Sequence, residues 1–343
     1  MKKLLNTFYI TTPDVYLSLD GENIVIKQDD VELRRVPMHN LESVVTFGRQ
    51  GASPAFMRKC TQNGISLAFM TEYGRFQASI VGEEGGNVLL RRQQYRYADD
   101  EKKCVAISKN ILKGKLYNSR WVLERAVRDH ILRINAEKIK RSTKFIANTA
   151  VQIDEADTID RFLGLEGEAA AQYFSVFDEM ILGDKETFFF KNRSRRPPLD
   201  NVNALMSFVY TILTNDISSA LSAVGLDPFV GFLHKDRPGR RSLALDLIEE
   251  LRAPLADRFV LKLINMRQLE AKDFMKRENG AVILNDDGRK TLLSEWQKRK
   301  NEELEHPFLK EKIVWGLVPH AQSMLLARFI RGDLDGYPPF LWK

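Results

Sequence analysis

Arg96-Tyr97-Ala98-Asp99-Asp100-Glu101-Lys102-Lys103 divides the chain into two parts with different apolar rhythms. The stretch is strongly charged and reads as a linker or as the start of a connecting helix. Upstream, apolar and polar residues alternate. Val15-Tyr16-Leu17-Ser18-Leu19, Asp20-Gly21-Glu22-Asn23 and Ile24-Val25-Ile26-Lys27 read as strand, turn, strand. Residues 31–36, 41–47, 65–70 and 74–81 are further strand candidates, with one short helix expected over 53–63. Downstream, apolar residues recur at spacings of three and four. Trp121, Leu123, Val127, Ile131 and Ile134 make one face. Leu205, Phe208, Val209, Ile212 and Leu213 make a second, and Leu243, Leu247, Leu251, Leu255 and Phe259 a third. The expected fold is α+β, with a small β-rich N-terminal domain over residues 1–95 and a larger all-α C-terminal domain over 96–343.

A length of 343 residues favours two domains, and 44% hydrophobic content supplies material for a core. No apolar run approaches the roughly 18 residues needed to span a bilayer. Met1-Lys2-Lys3-Leu4-Leu5-Asn6-Thr7 is followed by no apolar h-region, so no signal peptide is expected. The two cysteines, Cys60 and Cys104, make neither a disulfide framework nor a zinc site by themselves. They read as buried thiols of a cytoplasmic protein. The net charge of +6 is modest, but the bases cluster: Lys191 with Arg193, Arg195 and Arg196, and Arg237 with Arg240 and Arg241. Each cluster reads either as a solvated face or as a nucleic-acid contact.

Three polar residues stand in contexts that core packing does not explain. Glu166 lies in Gly164-Leu165-Glu166-Gly167, before the helix pattern of Ala169-Ala170-Ala171-Gln172-Tyr173-Phe174. Placed at a helix start, it is either an acid favoured by the helix dipole or a ligand approached closely between glycines. His234 closes the apolar loop of residues 225–233 and is followed by three arginines. It is either a satisfied core histidine or a ligand beside a phosphate clamp. Ser242 is expected to cap the next helix, on which Asp246 and Glu249 share one face. Asn203, Ser207, Tyr210 and Thr214 form a polar stripe without Lys or Glu, facing either solvent or a polar cleft. Two carboxylates and an imidazole suit a divalent ion that keeps positions open for water and phosphate.

Four separated segments, in order, closely resemble the CRISPR-associated adaptation integrase family. They are Gly164-Leu165-Glu166-Gly167 with Ala169-Ala170 and Tyr173-Phe174; Arg196-Pro197-Pro198 with Asp200, Val202-Asn203-Ala204-Leu205 and Ser207; Gly225-Leu226-Asp227-Pro228 through Leu233-His234; and Ser242-Leu243-Ala244-Leu245-Asp246-Leu247-Ile248-Glu249. Gly74-Arg75-Phe76 and Tyr337-Pro338-Pro339-Phe340 also fit, so the resemblance covers nearly the whole chain. Length and detail resemble the type I-C branch. The resemblance implies a divalent-metal-dependent DNA endonuclease and integrase that inserts short DNA fragments into a repeat array. It implies Glu166, His234 and Glu249 as catalytic metal ligands for Mg²⁺ or Mn²⁺. It also implies a homodimer, expected to form through the β-rich domain. That dimer would join a small ferredoxin-like second adaptation protein in a heterohexamer on double-stranded and branched DNA.

Asp246 has the shorter side chain and is expected to orient His234 or a bound water. Arg195, Arg196, Asn203, Ser207, Arg237, Arg240 and Arg241 are the expected DNA contacts. Two other readings compete: a structure-specific nuclease without an integration role, and a non-catalytic DNA-binding scaffold. No Ser-His-Asp arrangement or phosphate-loop motif is present in the sequence, so acyl transfer and nucleotide hydrolysis are not supported.

Overall fold

The computed structural model describes residues 7–12, 14–41, 43–48, 51–71, 76–80 and 88–343. Its first part is β-rich. The strands are β1 (Thr7–Ile10), β2 (Tyr16–Asp20), β3 (Asn23–Gln28), β4 (Val31–Pro37) and β5 (Ser43–Phe47). Helix α1 (Pro54–Gln62), capped by the Ser53 hydroxyl at Phe56 N, precedes β6 (Ser66–Met70) and β7 (Phe76–Ile80). The expected strand over 74–81 is thus found at 76–80, and its remaining residues lie outside the described ones. β2, β3 and β4 form an antiparallel meander. Its first turn uses Gly21 at φ +57. β1, β5, β6 and β7 form a second sheet, in which β1–β5 and β5–β6 are parallel. Alternation did not single out β1, because its partner is remote in sequence and no hairpin turn announces it.

The β5–β6 pair faces two cores. Val44 and Leu67 join Leu17, Ile24, Ile26 and Phe56 in a small cluster. Their neighbours Val45, Phe47, Ala68 and Met70 belong to the large cluster of the helical part. Burial on both faces explains why Val44 and Val45 of β5 are adjacent valines, with Thr46 and Phe47 also buried, where a half-exposed strand would alternate.

The helical part begins at α2 (Val88–Ala98), ahead of the charged stretch. That stretch contains the break: Asp100 accepts from Lys102 N and Lys103 N and starts the 30-residue α3 (Glu101–His130). Then come α4 (Ala136–Glu155), α5 (Ile159–Ser175), the buried α6 (Asn201–Ala223) and α7 (Ser242–Leu251). A π-helical turn, Arg252–Asp257, leads into α8 (Arg258–Asn265). The five apolar residues expected on one face from Leu243 to Phe259 are all buried. Those expected from Leu205 to Leu213 are buried too. On α3 the expected face ends early, since Ile131 lies beyond the helix and is 55% exposed.

The chain ends with β8 (Phe274–Lys276), β9 (Val282–Leu284), α9 (Asp286–Asn301), β10 (Glu303–Glu305), β11 (Lys312–Val314) and α10 (Val318–Arg331). Two three-residue hairpins therefore interrupt what was expected to be all-α, and strands so short carry no readable alternation. After α10, residues 333–343 return to α3 and α7. No helix among the described residues is long and apolar enough to cross a membrane.

Candidate active site

His234 sits on the loop between α6 and α7, and that loop is fastened from two sides. Gln94 of α2 is fully buried. Its amide donates to Asp227 O at 2.8 Å and Val230 O at 2.9 Å and accepts from Asp227 N at 2.8 Å. From α7, the buried Asp246 takes the backbone N–H groups of Phe232 at 2.7 Å, Leu233 at 3.1 Å and His234 at 2.9 Å. It also meets His234 Nδ1 at 2.7 Å. A Cβ on Gly231 would stand 2.8 Å from Ser242 Cβ and 2.9 Å from Asp246 Oδ2, so only glycine allows this approach. A carboxylate at Nδ1 assigns the proton there and leaves the Nε2 lone pair for a ligand.

Glu166 and Glu249 converge on one cation. The Lys115 ammonium of α3 contacts Glu166 Oε1 and lies 2.6 Å from Glu249 Oε2. Arg252 takes the other oxygen of Glu249 at 3.0 Å. Burial alone would raise the pKa of Glu249. Arg252 and Lys115, with His234 beyond them, hold it below the ordinary carboxylate range instead. As placed here, no three His, Cys, Asp or Glu side chains among the described residues stand close enough to hold an ion. The donor chemistry nevertheless suits one: two carboxylates already share a cation, and the imidazole of His234 is oriented by Asp246 with its Nε2 left for a ligand.

Behind this group the Tyr210 ring lies between two guanidinium groups, Arg252 at 4.9 Å and Arg193 at 5.4 Å. Its hydroxyl donates to Asp257 at 2.5 Å, and Tyr173 donates to the other oxygen at 3.0 Å. Burial pushes the Asp257 carboxyl up to about 6 against those donors. Tyr210 and Asp257 line a cavity of about 30 Å³ with Lys115, Glu166, Arg195 and Arg252. A wider cleft of about 660 Å³ opens on the His234 side, between α2 and the start of α5.

Several expectations change. Glu166 is inside α5, not at its start: Thr158 caps the helix, which continues through both Gly164 and Gly167. Ser242 is the first helical residue rather than the cap, and its hydroxyl donates to Lys235 O at 3.2 Å. Asn203 is fully buried and cannot meet DNA. Its amide receives Arg193 and Ser194 N and donates to Asn192 O and Asp200. Ser207 accepts from Arg193 at 3.1 Å, so both residues hold the basic loop in place. Arg241 stacks on Phe76 of β7 at 3.8 Å and reaches Ser79 and Asn215, which makes it a tie to the sheet rather than a phosphate contact. Arg195, Arg196 and Arg237 are exposed, and Arg240 is half-buried.

Sequence reasoning missed Lys115, Arg252, Gln94 and Asp257. The available signal was position. Lys115 lies on the face of α3 that also presents Ile111, Leu112, Ser119 and Val122, all of them buried.

A family model described as "CRISPR associated protein Cas1" matches residues 8–298. The chain belongs to the Cas1 family. It is 51% identical over 343 residues to "CRISPR-associated endonuclease Cas1 1" of Chlorobaculum tepidum, with both chains fully covered. It is 50% identical to "CRISPR-associated endonuclease Cas1 2" of Rhodospirillum rubrum, again across all of both chains. Its fold matches a casposase bound to integration product at a TM-score of 0.83, with 22% identity over 98% of this chain and 93% of that one. The Cas1 protein of Thermotoga maritima matches at 0.81, with 22% identity over 97% of this chain and 99% of that one. The Cas1 fold explains the order of parts seen here, a β-rich region followed by a mostly helical one.

Proposed function

We propose that this chain is a divalent-metal-dependent DNA endonuclease and integrase that inserts short DNA fragments into a CRISPR array by transesterification. The observation that carries the reading is the convergence of Glu166 and Glu249 on one cation, together with an imidazole oriented by Asp246. Near-half identity to curated Cas1 endonucleases over the full length supports the reaction class. Glu166, His234 and Glu249 would hold Mg²⁺ or Mn²⁺. Such an ion, when bound, offsets charge on the phosphate and lowers the pKa of an attacking hydroxyl.

The chain's own residues do the rest. Arg252 keeps Glu249 ionised. Asp246 holds His234 in one tautomer. Arg195, Arg196, Arg237 and Arg240, which reach the surface, would grip DNA phosphates, leaving a 3′-hydroxyl to be aligned with the phosphodiester it attacks. The test is incubation with branched DNA in Mn²⁺, in Mg²⁺ and in a chelator. Joined strands are expected with either ion. Cutting alone would favour a structure-specific nuclease, binding without turnover a scaffold, and joining in chelator would overturn metal dependence.

The chain would work in the cytoplasm as a homodimer, in a heterohexamer with the small ferredoxin-like second adaptation protein. Part of a chain in a "Cas6-RT-Cas1--Cas2 complex", 36% of its length, has the same fold, at a TM-score of 0.82 and 20% identity. Length and motif detail favour the type I-C branch. The dimer is assigned to the β-rich region because β4 lies at the end of its sheet and exposes Val31 at 63% and Leu33 at 48%. Replacing both with lysine should yield monomers in sedimentation, and an unchanged dimer would move the contact elsewhere.

A further inference from the structure

Lys115 occupies the point at which two acids meet. Its ammonium is bonded to Glu166 Oε1, lies 2.6 Å from Glu249 Oε2, and its side chain is only 12% exposed. Arg252 faces the remaining oxygen of Glu249 at 3.0 Å. Two carboxylates thus face two cations, and the group is locally neutral. The cations differ in freedom. Arg252 is packed over Tyr210 at 4.9 Å and held by its ion pair. Lys115 has a flexible four-carbon stem and three rotatable donors, and a small cavity beside it.

We propose that Lys115 is the internal counter-cation of this site, competing with the divalent ion and coupling its uptake to the arrival of DNA. The inference rests on the reading of Glu166, His234 and Glu249 as the ion-binding set. A divalent ion added to a neutral group leaves an uncompensated double positive charge in a poorly solvated place. A DNA phosphate supplies negative charge, and the ammonium released from the carboxylates can turn to it. The ion therefore binds weakly to the protein alone and more tightly to the protein with DNA. By linkage, DNA binds more tightly in the presence of the ion by the same factor.

The test measures Mn²⁺ affinity by titration calorimetry on the full chain, with and without branched DNA lacking 3′-hydroxyls. Wild type should gain about tenfold or more in Mn²⁺ affinity when DNA is present, within the usual range of coupling. Without DNA, Lys115→Met should bind Mn²⁺ about tenfold tighter than wild type, and DNA should add little further. It should also melt lower without ion and recover on adding Mn²⁺. A lysine that merely packs α3 would lower the melting temperature and leave Mn²⁺ affinity unmoved, which would overturn the inference. Lys115→Gln gives the same reading if the methionine variant does not fold. Glu249→Gln separates the two levels of argument. If it leaves Mn²⁺ binding intact, the ion-binding set is wrong and the inference falls with it. If it abolishes binding while Lys115→Met fails to strengthen it, only the inference falls.

Discussion

Asp246 and Glu249 lie one helical turn apart, yet the fold gives them different work. Both oxygens of Asp246 are consumed by the loop of His234, whereas Glu249 faces Lys115 and Arg252. Ala at Glu166, His234 or Glu249 is expected to abolish strand joining and leave DNA binding largely intact in a mobility-shift assay. Asp246→Asn keeps an acceptor but weakens the hold on the imidazole, so joining should fall about 10- to 100-fold. Near-normal joining by Glu249→Ala would refute the assignment. The arginines after His234 divide in the same way. Ala at Arg237 or Arg240 should flatten the salt dependence of DNA binding by about one unit each. Arg241→Ala should instead lower the melting temperature and leave the salt slope nearly unchanged, because its guanidinium is spent on Phe76, Ser79 and Asn215.

At the scale of elements, α2 sets the position of the His234 loop through a single side chain. Gln94→Leu would remove the partner of Asp227 N, Asp227 O and Val230 O, at about 1–3 kcal/mol for each group that water does not reach. It is expected to lower both the melting temperature and the joining rate, while a surface change on the same helix, such as Arg92→Ala, alters neither. Joining at the wild-type rate by a destabilised Gln94→Leu protein would show that the loop holds its shape without α2. Gln94 was not legible in the sequence, since a lone glutamine in Arg91-Arg92-Gln93-Gln94-Tyr95 resembles a solvated helix face. What was legible rested on local periodicity. The strands of the meander, α1, and the buried faces of α6 and α7 all repeat at their own spacing. The start of α5 was misplaced because Gly164 and Gly167 look like a break. Both glycines lie on open helix surface, where nothing prevents the helix from running through them. Lys115 and Arg252 stayed hidden because their roles exist only where α3, α5 and α7 meet.

Across the whole molecule, the two parts are tied by polar contacts as well as by the shared core. Lys300 pairs with Asp216 at 3.1 Å and meets Thr7 of β1. Ser66 of β6 bonds Ser219 of α6 at 2.9 Å. On the far side, the last residues are drawn inward by Glu250, which accepts from Tyr337 at 2.6 Å, Gln322 at 3.0 Å and Phe340 N at 2.6 Å. Asn118 of α3 bonds Phe340 O and Trp342 N beside it. Burial pushes the Glu250 carboxyl up to about 8 despite those donors. The unfolded chain loses this proton near its ordinary value of 4.5, so the protonated folded state is increasingly penalised as pH rises. The stabilising contribution is complete below that value, declines through the interval up to about 8, and is absent above it. Glu250→Gln, permanently neutral, should therefore lose less melting temperature than wild type between about pH 5 and about pH 8. Equal losses would show that Glu250 is already ionised when folded.

The embrace of Glu250 by residues 322–340 also has a consequence for how the protein is made. Roughly ninety residues separate this acid from the segment that covers it, and at 5–20 residues per second a ribosome needs on the order of ten seconds to supply them. The β-rich part can settle during that interval, while α7 carries an acid whose cover has yet to be synthesised. A nascent chain therefore cannot complete the surroundings of Glu250 until translation has reached Phe340, and a message cut short before Tyr337 would leave this acid of α7 without its cover.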